Sequence, residues 1–80
     1  MFRTNIEYSK GKLFVNLEGT VKKKNLADLR KKLFYIIGEY HINDVIISIQ
    51  NTNDIEMESL YELLDEYDMN YGGKLELVTN

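Results

Sequence analysis

Eighty residues with 13 acidic and 10 basic side chains, net charge −3, make one small domain with room for a single core. With no cysteine and one histidine the chain has no disulfide framework and little basis for a zinc site, so packing or a partner must hold it. No apolar run approaches the roughly 20 residues that span a bilayer, and "MFRTNIEYSK" lacks the apolar stretch of a signal peptide, so a cytoplasmic location is expected.

Phe2, Thr4, Ile6 and Tyr8 alternate with Arg3, Asn5 and Glu7; after "SKGK", Leu13, Val15 and Leu17 alternate with Phe14, Asn16 and Glu18. Two runs of period two around a short glycine-containing connection predict a β-hairpin with Gly11 in its turn. From Leu26 the period lengthens. Leu26, Leu29, Leu33, Ile36, Ile37 and Tyr40 form one stripe, which predicts a helix from about Asn25 to Tyr40, with Asn25 as its cap and Asp28 in its first turn. "YHIND" is the turn out of that helix. In "DVIISIQ", Val45, Ile46, Ile47 and Ile49 leave no consistently polar side, which predicts a strand buried on both faces. Met57, Leu60, Leu63, Leu64, Tyr67 and Tyr71 then predict a second helix from about Asn53 to Tyr71, capped by Asn53 or Asp54. Gly72-Gly73 ends it, and "KLELV" is the last strand. The six tyrosines are expected mostly on the core stripes, with rings buried and hydroxyls wet.

Residues 1–80 therefore read as a single α/β domain of order β-β-α-β-α-β, without linker or repeat. Right-handed crossovers make the second, third and fourth strands parallel and place both helices on one face of a four-stranded mixed sheet. The loops after the second and third strands then open at the same end, so "GTVKKKN" lies beside "NTNDIEMES". The basic residues concentrate between positions 22 and 32 and the acids between 54 and 68, as two solvated helix faces of opposite sign. Nucleic acid is not expected as a partner, because "VKKKN" has no interleaved aromatics. Asp54, Glu56 and Glu58 alternate as metal ligands might in a loop, but the glycine and final glutamate of an EF-hand are absent. His41 has no nucleophile partner in the pattern, and Gly72-Gly73 precedes a strand, not a phosphate-cradling helix N-terminus. No enzyme activity, cofactor or metal is expected.

"LFVNLEGTVKKKNLADLRKKL", "INDVIISIQNTNDIEMESL" and "YGGKLELV" resemble the successive blocks of the STAS domain, the fold of bacterial anti-sigma factor antagonists. Gly19 after the second strand, the capped first helix and Gly72-Gly73 before the last strand fall where that family has them. The resemblance implies a STAS-like fold and a protein that acts in transcription regulation by docking on another protein. It also implies a partner-binding surface at the start of the second helix and the adjoining loops. Its positions here are Lys22, Lys23, Asn53, Asp54, Glu56, Met57, Glu58, Ser59 and Glu62.

The chain departs from the family at the switch. The family carries an Asp-Ser-Ser-Gly-like motif there, with one serine phosphorylated by the partner kinase; here Glu56, Met57, Glu58 and Ser59 stand in its place, with Glu58 at the phosphorylated position. Glu58 is either a partial phosphoserine mimic, with less than the roughly −1.5 to −2 charge of a phosphate, or a first-turn acid favourable to the helix dipole. Ser59 is either a displaced acceptor or an ordinary first-turn serine. Lys22 occupies a position where the family tends to have an acid, so Lys22 and Glu58 are a base facing an acid, either a fixed pair or a coincidence of loop residues. The one or two helices that usually follow the last strand are missing from the sequence. A fold shortened in this way is expected to leave apolar surface uncovered and to self-associate or lean on a partner. Two functions follow: an antagonist-like module that binds a regulatory protein, or a small structural subunit that oligomerises or docks on a larger assembly such as a transport ATPase.

Overall fold

The computed structural model describes residues 1–79. It contains β1 (Phe2–Ser9), β2 (Lys12–Val21), α1 (Lys23–Tyr40), β3 (Asp44–Ile55), α2 (Met57–Tyr71) and β4 (Lys74–Val78). The four strands form one sheet in the order β1-β2-β3-β4, with β1 antiparallel to β2 and the other pairs parallel. Lys10 and Gly11 both adopt positive φ, 52° and 80°, which is the two-residue turn whose twist matches an antiparallel hairpin.

One-way progress across the sheet leaves both helices on the same face. There Leu13, Val15, Leu17 and Val21 of β2 and Val45 and Ile47 of β3 are closed over by Leu26, Leu29, Leu33 and Ile37 of α1 and by Leu60, Leu63 and Tyr67 of α2. The opposite face has no helix over it among the described residues. β3 is therefore not buried on both faces, as its unbroken apolar run had implied. Val45 and Ile47 are fully buried, whereas Ile46 lies on the open side, paired in register with Phe14, which is 40% exposed.

Two predicted boundaries move. The second helix starts at Met57, not near Asn53, because β3 continues to Ile55. Two register shifts, between Asn16 and Glu18 and between Gly19 and Thr20, let β3 follow β2 until Thr20 faces Asp54 and Val21 faces Ile55. Cross-strand pairing thus overrides the capping preference of Asn53 and Asp54. The first helix starts at Lys23, and Asn25 acts from its third position: its side-chain oxygen accepts the Lys22 backbone N–H at 2.9 Å. The tyrosines also differ from expectation. Only Tyr67 is buried in the core, and Tyr8, Tyr35, Tyr40, Tyr61 and Tyr71 are exposed.

Two glycines are required by close approach. Gly19 has φ of +83°, and a Cβ there would overlap the Met1 carbonyl, which accepts the Thr20 N–H at 3.2 Å. At Gly73 a Cβ would press on the Tyr67 hydroxyl and lie 2.7 Å from the Asn43 carbonyl oxygen, which itself accepts the Lys74 N–H at 2.8 Å.

Candidate functional site

β2 and β3 end side by side, and each passes within two residues into a helix, so the starts of α1 and α2 are neighbours. Glu56 joins them. Its backbone N–H donates to the Val21 carbonyl at 2.9 Å, and its carboxylate accepts the Lys23 backbone N–H at 3.3 Å and the Ser59 hydroxyl at 2.8 Å. A carboxylate at the start of α1 complements that helix's dipole and satisfies one of its unpaired N–H groups. The Ser59 hydroxyl first, and the Lys23 N–H second, hold the Glu56 carboxyl below the usual carboxylate range.

Lys22 sits at the mouth of the same end. Its ammonium meets the Asp54 carboxylate at 2.9 Å, with both side chains more than half exposed. The hydrogen bond and then the opposite charge raise Lys22 above its ordinary pKa and lower Asp54 below its own. The partner of Lys22 is therefore Asp54 and not Glu58. With β3 extended to Ile55, Asp54 faces Thr20 across the ladder, while Glu58 lies exposed in the first turn of α2 and has no ion-pair partner among the described residues.

The other residues of this end divide by exposure. Asn53 is exposed on the last part of β3, Met57 packs partly against the core, and Glu62 is exposed one turn along α2. Ser59 is buried, with its hydroxyl engaged by Glu56. The structure thus gathers Lys22 with Asp54, and Lys23 with Glu56 and Ser59; Glu62 stands across a shallow groove from Lys23, whose floor is Leu26, Ala27 and Leu63.

The far end of that groove is closed by a pair absent from the candidate residues. Arg30 and Glu66 bind each other through two hydrogen bonds, Nε to Oε1 at 2.7 Å and the terminal nitrogen to Oε2. The Arg30 guanidinium also lies 5.4 Å from the centroid of the Phe34 ring. Each residue lies on the flank of its helix stripe that faces the other helix. Opposite charges on facing flanks were the signal available in the sequence. Among the described residues no group of three or more His, Cys, Asp or Glu side chains is placed to hold a metal ion, and no helix is long and apolar enough to cross a membrane.

No family model matches the sequence, and no curated protein matches it. Among solved structures, that of the anti-sigma factor antagonist SpoIIAA in its unphosphorylated form superposes with a TM-score of 0.73. The match covers 96% of this chain and 71% of that one at 13% sequence identity, so the likeness is one of fold. The element order, the mixed four-stranded sheet and the two helices give this chain the STAS-like α/β fold seen in SpoIIAA.

Proposed function

We propose that the chain is a non-catalytic protein-interaction module of the anti-sigma factor antagonist kind, docking on a regulatory protein through the start of α2 and the loops beside it, without the serine phosphoswitch. On this reading it works in the bacterial cytoplasm, in transcription regulation. The observation that carries the reading is the state of Ser59 within a SpoIIAA-like fold. Its hydroxyl is buried and donates to Glu56, so a phosphate there would force a dianion against a carboxylate already committed to the start of α1. The exposed groups at this end, Lys22, Lys23, Asn53, Asp54, Glu58 and Glu62, offer a mixed-charge rim with Met57 beneath it.

The test is a pull-down from the native cell, followed by binding measurements with the captured protein and incubation with ATP if that protein is a kinase. Capture of a kinase-like anti-sigma factor, loss of binding in Glu58→Lys and no phosphate on Ser59 are expected. Stoichiometric phosphorylation of Ser59 would overturn the switchless reading. A second reading, a structural subunit that docks on a larger assembly such as a transport ATPase, draws on the uncovered sheet face, where Phe14 and Ile46 sit together. Capture of assembly subunits, with binding lost in Phe14→Ser and kept in Glu58→Lys, would select it.

A further inference from the structure

The outer surfaces of the two helices carry opposite charge. α1 holds the bases Lys23, Lys24, Arg30, Lys31 and Lys32 against the acids Asp28 and Glu39; α2 holds Glu58, Glu62, Asp65, Glu66 and Asp68 and no base. Opposite the buried Leu26, Leu29, Leu33 and Ile37, α1 turns Lys24, Asp28, Lys31 and Tyr35 to solvent; opposite Leu60, Leu63 and Tyr67, α2 turns Glu58, Glu62, Asp65 and Met69 outward with Tyr61 beside them. These surfaces are not purely solvating. Tyr35 is 68% exposed, Tyr61 53% and Met69 82%. A strip with an excess of bases, interrupted by Asp28 and Glu39, and a wholly acidic strip, each with large exposed apolar side chains, therefore lie side by side on one layer.

We infer that this helix layer is the contact surface for a second copy of the chain, related by a twofold axis running along the helices, so that α1 of each copy lies on α2 of the other. The symmetry follows from the charges. α1 and α2 run in the same direction, because each returns the chain between parallel strands. When two such layers stack face to face, a twofold axis across the helices sets α1 on α1 and α2 on α2, with like charges together. An axis along them sets base on acid twice, in a closed isologous contact.

That axis also preserves height along the helices. The Arg30–Glu66 pair shows that an α1 residue stands level with the α2 residue 36 positions on. Lys24 therefore comes level with Leu60 of the second copy, between the turns that bear Glu58 and Glu62; Lys31 comes level with Tyr67, beside Asp65 and Asp68. Tyr35 comes level with Tyr71, within reach of Met69, a sulfur–aromatic pairing. Helices about 27 Å and about 22 Å long and about 10 Å apart present a patch of only about 500 Å² by these dimensions. The dimer is therefore concentration-dependent and strongly salt-sensitive, and it forms whatever partner the sheet end takes.

Sedimentation velocity of the purified chain at concentrations up to about 1 mM tests this in about 0.01 M and about 1 M salt, where the Debye length falls from about 30 Å to about 3 Å. A dimer at low salt, with its dissociation constant raised at least tenfold at high salt, is expected. Lys31→Glu on α1, and separately Asp65→Lys with Asp68→Lys on α2, should each be monomeric. Mixed in equal amounts, the two reversed chains should form a one-to-one heterodimer, because each then offers the other opposite charges at both contacts. Thermal melts establish that each variant is folded, and Lys31→Gln and Asp65→Asn, each weakening the dimer, replace any that is not. A parent monomeric at low salt, reversed chains that dimerise as the parent does, or a mixture that stays monomeric would each overturn the proposal.

Discussion

Leu60 and Lys22 stand for two regions built on different physics. Leu60, fully buried between α2 and the sheet, belongs to an aliphatic layer with Leu17, Val21 and Ile47, all at 0% exposure. Lys22, at the end of the same sheet, is more than half exposed and makes one ion pair with an equally exposed Asp54. Glu56 and Ser59 connect the two through side chains, since Ser59 is the residue next to Leu60 and its hydroxyl holds the carboxylate that ties the helix starts. The layer supplies the folding free energy. The sheet end contributes little to stability, so its charges are open to change for recognition.

The sharpest way to break that contrast is Leu60→Ala. Truncating a buried leucine costs about 2–5 kcal/mol, against a total of about 4–12 kcal/mol for a domain of this length. The melting temperature should fall by about 10 °C or more, or the chain should not fold. Phe14→Ser on the open face is the control and should cost far less. Equal losses in the two variants would mean that the open face is covered in solution.

Next in size is Gly73→Ala. The new methyl must displace the Asn43 carbonyl or the Tyr67 hydroxyl, and overpacking of this kind costs about 1–3 kcal/mol, read by denaturant titration. An unchanged midpoint would show that the β4 entry is not tightly packed against the Tyr67 ring.

Stability against pH then separates the paired carboxyls from the buried Tyr67 phenol by sign. The hydrogen bonds of Asp54 with Lys22, Glu56 with Ser59 and Glu66 with Arg30 each lower a carboxyl in the folded state. Their contribution is present above the ordinary carboxylate range and is lost as pH falls through the lowered values. Tyr67 runs the other way. Burial first, and Asp44 second, raise its phenol, so its contribution is complete below about pH 10 and is lost as pH rises beyond that. Melts across pH should show an acid limb from the paired carboxyls and an alkaline limb to which the buried Tyr67 contributes, together with the exposed Lys22, whose raised pKa acts in the same direction. Tyr67→Phe should flatten the alkaline limb only, while giving up the hydrogen bond to the Lys74 carbonyl, about 1 kcal/mol.

Element order, strand direction and helix placement were legible because periods of two and 3.6 in apolar residues survive any local competition. What the pattern could not carry was where β3 ends. Asn53 and Asp54 have the chemistry of helix caps, and only the ladder with β2, bent by two register shifts, keeps them in the strand. That one error propagated to the site, since moving the start of α2 to Met57 puts Asp54 beside Lys22 and leaves Glu58 in the open. The tyrosines were misread for a related reason. Tyr40 and Tyr71 are the last residues of their helices, where Tyr40 has run past the apolar layer and Tyr71 covers its edge against the Phe34 and Tyr67 rings while staying exposed, and Tyr35 and Tyr61 lie off the stripes altogether.

The smallest expected effect is the most local one, and it decides whether the sheet end acts as one charged network or as two independent contacts. Asp54 is lowered by Lys22 alone among side chains, by hydrogen bond and then by charge, whereas Glu56 is lowered first by the Ser59 hydroxyl, second by the Lys23 N–H, and only weakly by the charges of Lys22 and Lys23. Replacing Lys22 by Met removes the ammonium and keeps the length of the side chain. In a carboxyl NMR titration Asp54 should then return to the ordinary carboxylate range, and Glu56 should scarcely move. The thermal melt at neutral pH should not resolve the variant from the parent, because an exposed pair contributes little. If Glu56 rises together with Asp54, the charges at the two helix starts are coupled, and a substitution at Lys22 meant to probe recognition would also loosen the joint between α1 and α2.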